Sequence, residues 1–223
     1  MAFSKKFPAF FKQLERNNDR TWFNAHKEEY IEFVKEPFEA FIEELISHMR
    51  KVDPSIKITP KDAIFRIYRD VRFSKFKIPY KTHASAIVTR GGRKNLHGTP
   101  GLYVQIDHTG IKAYSGLHHL ETKELHKTQR YIADNLAALK KIISVPAFKK
   151  TYGVVMGDRY KRIPKEYEEV AKKQPLIANR QFYVMAELPI SALYKNDLPT
   201  KLVKIFKVTQ PLNKFLVKAA GLK

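Results

Sequence analysis

The spacing of apolar residues changes near residue 53, and this change constrains the fold more than any other feature of the chain. Before it, apolar side chains recur at helical intervals in "FPAFFKQLERN" and again in "FEAFIEELISHMRKV". After the proline-containing "DPSIKITPKDA", short segments such as "ASAIVTR" and "GLYVQID" alternate apolar and polar residues between turn residues. Parallel strands would need a helix in each connection, so the sequence predicts N-terminal helices followed by a mostly antiparallel meander.

The remaining elements are predicted from the same periodicities. A second N-terminal helix is predicted to start near Thr21 as its N-cap, and Pro37 to kink it or to open a new helix. A long amphipathic helix is predicted over about residues 120–143, then loops over 145–179, the strand "QFYVMAEL" and C-terminal helices. This order predicts the α+β class. No repeat or linker divides the sequence, so we expect one domain over residues 1–223.

Positive charge is concentrated after the N-terminal helices. Residues 1–62 carry 11 Lys and Arg against 11 Asp and Glu, whereas residues 63–223 carry 31 against 11. The sequence therefore has a neutral helical part, 1–52, and a basic part, 63–223, which holds the whole net charge of +20. Such a field attracts phosphate metabolites, nucleic acid or an acidic membrane surface, and it also keeps a protein soluble through self-repulsion.

The chain lacks the sequence features of membrane, secreted and metal-binding proteins. It contains no apolar run of about 18 residues, so no membrane span is predicted. It has no cysteine and no signal-peptide pattern, so we expect a cytoplasmic protein. Its eight histidines show no H-E-x-x-H spacing, and neither a metal nor another cofactor is predicted. No oligomeric state is predicted.

The stretch "FRIYRDVRFSKFKIPYKTH", residues 65–83, groups six cations around a single acid, Asp70. The planar fork of arginine matches the oxygens of a phosphate or carboxylate, and lysine adds a mobile point charge. Tyrosine and histidine side chains between the cations could orient an oxygen or carry a proton. The residues of this stretch that we predict to bind an anion are Arg66, Arg69, Arg72, Lys75, Lys77, Tyr80, Lys81 and His83.

Two questions about this stretch stay open at the level of sequence. If residues 65–73 form a strand, Arg69 falls on the apolar face, so either the strand ends near Tyr68 and the chain turns, or Arg69 is partly buried. Asp70 either aims the arginines at a ligand or fastens them to the fold in a purely structural network.

In another interpretation, the chain is an enzyme that acts on a phosphorylated substrate. Its candidate acid–base residues are Asp70, Tyr80 and His83.

Two further segments contain basic residues that an anion site could use. "GGRKNLHG" places Arg93 and Lys94 in a glycine-containing connection whose amides could cradle a phosphate, although a plain strand connection is favoured. "GDRYKRIPKEY" contains Lys161 and Arg162, which are candidates to close the site. Basic residues among tyrosines also suit single-stranded nucleic acid, which is the alternative partner. The density of arginines favours an anionic small molecule over nucleic acid.

Three segments together resemble the bacterial family called domain of unknown function 2461: "WFNAHKEEYIEFVKEPFEAFIEEL", "IFRIYRDVRFSKFKIPYKTH" and "GDRYKRIPKEY". Their order and spacing agree with it from about residue 7 to the C-terminal helices. The resemblance implies an uncharacterised single-domain protein, with no activity to carry over. The family usually has an acid at the position of Phe76 and a histidine at that of Gln105. If those two side chains serve a reaction in the family, the resemblance implies an altered or inactive member.

Overall fold

The structure is a computed structural model that describes residues 3–72, 75 and 77–222. Its N-terminal part is helical, as predicted. A π-helical segment, Ile31–Lys35, joins the third and fourth helices, and Pro37 lies in the first turn of the fourth. The helices are α1 (Lys6–Arg16), α2 (Arg20–Ala25), α3 (Lys27–Tyr30), α4 (Glu36–Arg50) and α5 (Pro60–Ala63).

The helical spacing of apolar residues produces the core of this part. Phe7, Phe11 and Leu14 of α1 are fully buried, as are Ile42 and Leu45 of α4. Burying such side chains stabilises a fold by roughly 1.5–3 kcal/mol each. The prediction that Thr21 caps α2 is wrong, because the carboxylate of Asp19 accepts the N–H of Trp22 at 2.9 Å. An aspartate one residue before the helix satisfies an amide that has no partner inside the helix.

A four-stranded antiparallel sheet follows, and its strands are neighbours in chain order. Burial alternates along the third strand, which is the pattern of a sheet with one covered face. A tight turn at 107–110 joins the second and third strands, and in it the carboxylate of Asp107 accepts the N–H of Thr109 at 2.7 Å and of Gly110 at 3.2 Å. The strands are β1 (Ala84–Val88), β2 (Leu102–Ile106), β3 (Gly110–Leu117) and β4 (Phe182–Pro189).

The α+β class is confirmed, with two differences in the later helices. The helix predicted over 120–143 is divided at Asn135, whose side chain donates to the carbonyl of Tyr131 at 3.0 Å and ends the first helix. The segment 145–179 contains two α-helices rather than mostly loops, the first opened by Pro146. These later helices are α6 (Thr122–Asp134), α7 (Leu136–Ser144), α8 (Pro146–Tyr152), α9 (Glu168–Lys173) and α10 (Leu198–Ala220).

The chain divides into two compact units, each made of separate segments. The first takes in the chain up to Lys94 together with Tyr103–Ala113 and Glu187–Val203. The second comprises Asn95–Leu102, Tyr114–Ala186 and the chain from Lys204 onward, and its core includes Leu125, Ile132, Phe148, Phe182 and Leu216. The prediction that residues 1–223 form a single domain stays a prediction, because two compact units can belong to one domain or to two. No helix in the described part of the chain has the length and apolar character needed to cross a membrane.

Candidate functional site

We call residues 65–83 the basic loop, and its described residues form the two paired sides of a narrow loop. Its two sides are joined by backbone bonds from Arg69 N to Pro79 O and from Lys81 N to Ile67 O, both 2.8 Å long. Between these bonds Tyr68 and Tyr80 form an isolated antiparallel bridge. Pro79 has no N–H to return a bond to Arg69, so the ladder cannot extend. Of the two alternatives for Arg69, the structure shows the first, because the pairing ends there and its side chain is exposed.

A bulge lies at the base of the loop and contains His83. A second isolated bridge joins Ile64 to Ala86. Between the two bridges one side of the loop has three residues, 65–67, while the other has five, 81–85. The extra residues on the second side must bulge, and bulges redirect side chains next to many binding sites. This register shift determines where His83 lies.

The helical part of the first unit anchors the basic loop through Tyr80. The side chain of Asn18 pairs with the backbone of Tyr80, with its amide donating to the carbonyl and its oxygen accepting the N–H, both at 3.1 Å. The ring of Tyr80 stacks on Phe23 with ring centroids 4.0 Å apart and planes 16° apart. Both rings are buried, and Tyr68 packs against them from the loop. The loop therefore has a fixed base and an exposed tip.

Asp70 binds Arg72 in a two-pronged ion pair at that tip. The Nη2 and Nε atoms of Arg72 donate to the two carboxylate oxygens at 2.7 and 3.0 Å, and its backbone N–H donates at 3.3 Å. These hydrogen bonds lower the pKa of Asp70 to about 2. Asp70 is therefore ionised at neutral pH, and both of its oxygens are occupied. The geometry supports a positioning role for Asp70 and gives it no proton to donate.

The guanidinium groups of Arg66 and Arg69 are also exposed, and neither is paired with a carboxylate among the described residues. Among the residues that the structure describes, neither Arg66 nor Arg69 has a side-chain hydrogen bond or ion pair. Burial and repulsion from Arg66 lower the pKa of Lys81, so the charge of Arg66 acts on this lysine. Lys77 instead ties the tip by donating to the carbonyls of Val71 at 2.9 Å and of Arg72 at 3.3 Å. Lys75 is exposed.

His83 lines a small cavity in the first unit. The cavity has a volume of about 30 Å³, enough for a water molecule. Burial, together with the charges of Lys81 and Lys112, lowers the pKa of His83 to about 4. Tyr30 also lines the cavity, and burial with the nearby Tyr68 and Glu39 raises its pKa to about 12. Both side chains are uncharged at neutral pH, so His83 offers hydrogen bonds rather than positive charge.

The low pKa of His83 predicts how stability depends on pH. The pKa of His83 in the folded protein is below that in the unfolded chain, so the unfolded chain binds a proton on this histidine at a higher pH. The stability that neutral His83 contributes is therefore lost as the pH falls from about 6.5 through about 4. We therefore expect the midpoint of urea unfolding to fall over this range, and to fall less steeply for His83→Gln. Equal pH slopes for the two proteins would contradict the assignment.

Tyr80 is poorly placed to donate a proton to a ligand. Only 3% of it is exposed, and burial raises its pKa. Its ring faces Phe23 and Tyr68, whereas His83 lines the cavity. The three predicted acid–base candidates thus have separate surroundings: Asp70 holds Arg72, Tyr80 anchors the loop and His83 lines the cavity.

The glycine-containing segment packs against helix α5. Arg93 donates through Nη2 and Nε to the carbonyl of Lys61, at 3.3 and 3.4 Å. Gly92 has φ +59°, and a Cβ there would lie 2.7 Å from the carbonyl oxygen of Asp62. Lys94 is exposed and acts on the carboxylate of Asp62 through its charge. These contacts match the plain connection that the sequence favoured over a phosphate cradle.

Several predicted positions lie outside this cluster or outside the described residues. Lys161 and Arg162 are exposed residues of the second unit, and their participation in the site stays a prediction. Phe76, where the family usually has an acid, lies outside the described residues. Gln105 forms a side-chain hydrogen bond that helps to lower the pKa of Asp107. Asp107, in turn, acts by its charge on His83.

Sequence reasoning missed Asn18, Tyr30 and Lys112 as residues of this site. Asn18 is 62 residues from Tyr80, and an asparagine between two helices looks like any turn residue. Tyr30 follows the helical spacing expected of a core position, and Lys112 follows strand alternation. No local signal distinguishes them, because only tertiary folding brings them to the basic loop and its cavity.

Fold and site define an α+β protein with a basic loop anchored on a helical part. The family model described as "Conserved hypothetical protein (DUF2461)" matches residues 6–215. The chain therefore belongs to this family, which confirms the family predicted from the sequence. No curated protein and no solved structure matches the chain.

Proposed function

We propose that this protein binds a phosphate-bearing small molecule at the basic loop, with Arg66 and Arg69 as the principal ligand-binding side chains. One observation carries the proposal: the guanidiniums of Arg66 and Arg69 are exposed, without partners among the described residues, on an anchored loop where the charge of Arg66 also acts on a third cation, Lys81. Like charges held together repel each other, and an oxyanion between them removes that repulsion. Arginine forks then match two phosphate oxygens at once.

The way in which the loop is held favours binding. Asp70 fixes Arg72, Lys77 ties the tip, and Asn18 and Phe23 hold the base. A loop whose base is already ordered loses less conformational freedom when a ligand binds, so more of the interaction energy appears as affinity. This arrangement makes Asp70 a positioning residue. In this proposal Asp70 fastens Arg72 and leaves Arg66 and Arg69 for the ligand.

The contacts favour binding over acid–base catalysis by the residues named for it. Asp70 is ionised and engaged on both oxygens, and Tyr80 is covered by aromatic rings. His83 retains a titratable nitrogen at a cavity, but the volume of about 30 Å³ suits a water molecule and not a substrate. An enzyme using His83 stays the alternative. This alternative predicts an enzymatic activity on a phosphorylated substrate that the Asp70→Asn variant retains and the His83→Gln variant loses.

The binding proposal can be tested by calorimetric titration with tripolyphosphate at constant ionic strength. We expect saturable binding to the wild-type protein and at least about a tenfold weaker affinity for the double variant Arg66→Gln/Arg69→Gln, because charge-assisted hydrogen bonds of about 1.5–3 kcal/mol are lost. The matched control is Lys12→Gln/Lys57→Gln, which removes the same charge from exposed positions outside the loop. It should bind like the wild type.

Two results would overturn this assignment. Absence of tripolyphosphate binding at low salt removes the proposal. Equal weakening in both double variants shows that the ligand responds to net charge and not to the loop.

Nucleic acid is the second candidate, and the exposure of Tyr68 favours it. Half of this tyrosine is exposed between Arg66 and Arg69, where a base could stack on its ring. The same titration with a labelled oligothymidylate at two salt concentrations separates the candidates. A steep fall in affinity with salt, together with loss in Tyr68→Ala, assigns the loop to single-stranded nucleic acid. Tripolyphosphate binding that Tyr68→Ala leaves unchanged assigns it to the small molecule.

A further inference from the structure

The second unit contains an open cleft of about 320 Å³, which is within the usual size of small-molecule sites. Sequence reasoning did not identify this cleft, because its residues come from four separate segments. Most of the lining side chains are polar or aromatic, and those that bear on ligand binding are His118, His119, Tyr160, Arg180 and Gln181.

Backbone pairing places Tyr160 and Arg180 side by side at this cleft. Tyr160 N donates to Ala178 O at 2.9 Å, and Arg180 N donates to Asp158 O at 2.7 Å. The guanidinium carbon of Arg180 lies 5.4 Å from the centroid of the Tyr160 ring. Stacking on an aromatic face orients a guanidinium and leaves its N–H edge available.

The acids around the cleft are all engaged, whereas Arg180 is not. Glu121 and Glu124 form a reciprocal capping box at the start of α6, and His97 Nε2 lies 2.8 Å from Glu124 Oε1. The side chain of Gln181 accepts from the N–H of Asp158 at 2.9 Å and donates to its carboxylate at 3.4 Å. Among the described residues Arg180 has no side-chain hydrogen bond or ion pair.

Two adjacent imidazoles complete the cleft. The rings of His118 and His119 lie 4.8 Å apart, and His118 lies 5.5 Å from the ring of Tyr183. Burial and the neighbouring His119 lower the pKa of His118, which stays neutral at pH 7 and can donate one hydrogen bond. No group of three or more His, Asp or Glu side chains able to hold a metal occurs in the described ranges.

We propose that this cleft is a second ligand site, which binds the oxyanion of a small carboxylate or phosphate compound. Arg180 holds two oxygens of the group with its fork, and an imidazole of His118 or His119 donates to the anion. The backbone amides of Glu121 and Glu124 at the start of α6 have carboxylate partners, and the proposed site uses side chains rather than the helix terminus. The proposal is independent of the basic loop, since every residue it uses belongs to the second unit.

Proton NMR titration of the full chain tests this site. Inorganic phosphate and benzoate are titrated separately, at constant ionic strength. The imidazole signals of His118 and His119, assigned through His118→Gln and His119→Gln, should shift saturably with one of the two probes. The stronger probe identifies the oxyanion. We expect Arg180→Gln to weaken that affinity at least tenfold, because the guanidinium fork that holds two oxygens is lost.

Two controls make the result specific. Lys173→Gln removes an exposed cation of the second unit that does not line the cleft, and it should leave the affinity unchanged. Arg66→Gln/Arg69→Gln should also leave it unchanged, which separates this site from the basic loop. Unsaturable shifts with both probes, or equal affinities for wild type and Arg180→Gln, would overturn the proposal.

Discussion

We expect the Phe23→Ala substitution to lower the free energy of unfolding by about 3–5 kcal/mol, as for other large buried aromatic side chains. Phe23 is 1% exposed and contacts Tyr80, Tyr30 and Phe10, with ring centroids 4.0, 5.2 and 6.3 Å away. Its loss leaves a cavity under the base of the basic loop. Urea unfolding followed by circular dichroism measures the change.

The same substitution should also weaken binding at the basic loop, because Tyr80 loses the ring that fixes it. Phe7→Ala is the matched control, since Phe7 is equally buried but packs against Phe3, Phe11 and Phe38. At a temperature where both variants are folded, tripolyphosphate should bind Phe7→Ala like the wild type and Phe23→Ala at least about tenfold more weakly. Equal affinities for the two variants would separate Phe23 from the site.

Local sequence patterns predicted most of the elements, because those elements depend on local periodicity. The stripes of α1 and α4 and the alternation of β3 follow directly from residue spacing. The errors occur where a single side chain overrides periodicity. Asn135 divides the long helix by bonding to Tyr131, and Pro146 begins a helix inside a stretch predicted as loops. The sequence left open whether the extended pairing ends near Tyr68, and it does end there because Pro79 cannot complete the ladder.

The chemistry of the candidate site was predicted in part. The density of cations around Asp70 is visible in the sequence, and the structure shows that Asp70 holds Arg72 while Arg66 and Arg69 are exposed. The surroundings of His83 were not predictable. They arise from a two-residue difference between the sides of the loop and from contacts with Tyr30 and Lys112. Pairing register of this kind is a tertiary property with no local signal.

Asn18→Ala should destabilise the protein by about 1–3 kcal/mol and release the base of the basic loop. Asn18 satisfies both backbone groups of Tyr80 at 3.1 Å, and an alanine leaves that N–H and carbonyl without their partner. Hydrogen exchange at the Tyr80 amide should therefore accelerate by more than the global loss of stability explains.

Asn17→Ala is the matched control for this substitution, because the side chain of this neighbouring asparagine, among the described residues, donates to the carbonyl of Gln13 in α1 and not to the loop. It should cost less than about 1 kcal/mol and leave both the Tyr80 amide and tripolyphosphate binding unchanged. If Asn18→Ala speeds exchange throughout the first unit equally, the residue stabilises the fold without positioning the loop. Selective exchange at Tyr80 with weaker ligand binding instead shows that the neutral helices hold Arg66 and Arg69 in place. The contrast between two adjacent asparagines thus separates stability from positioning.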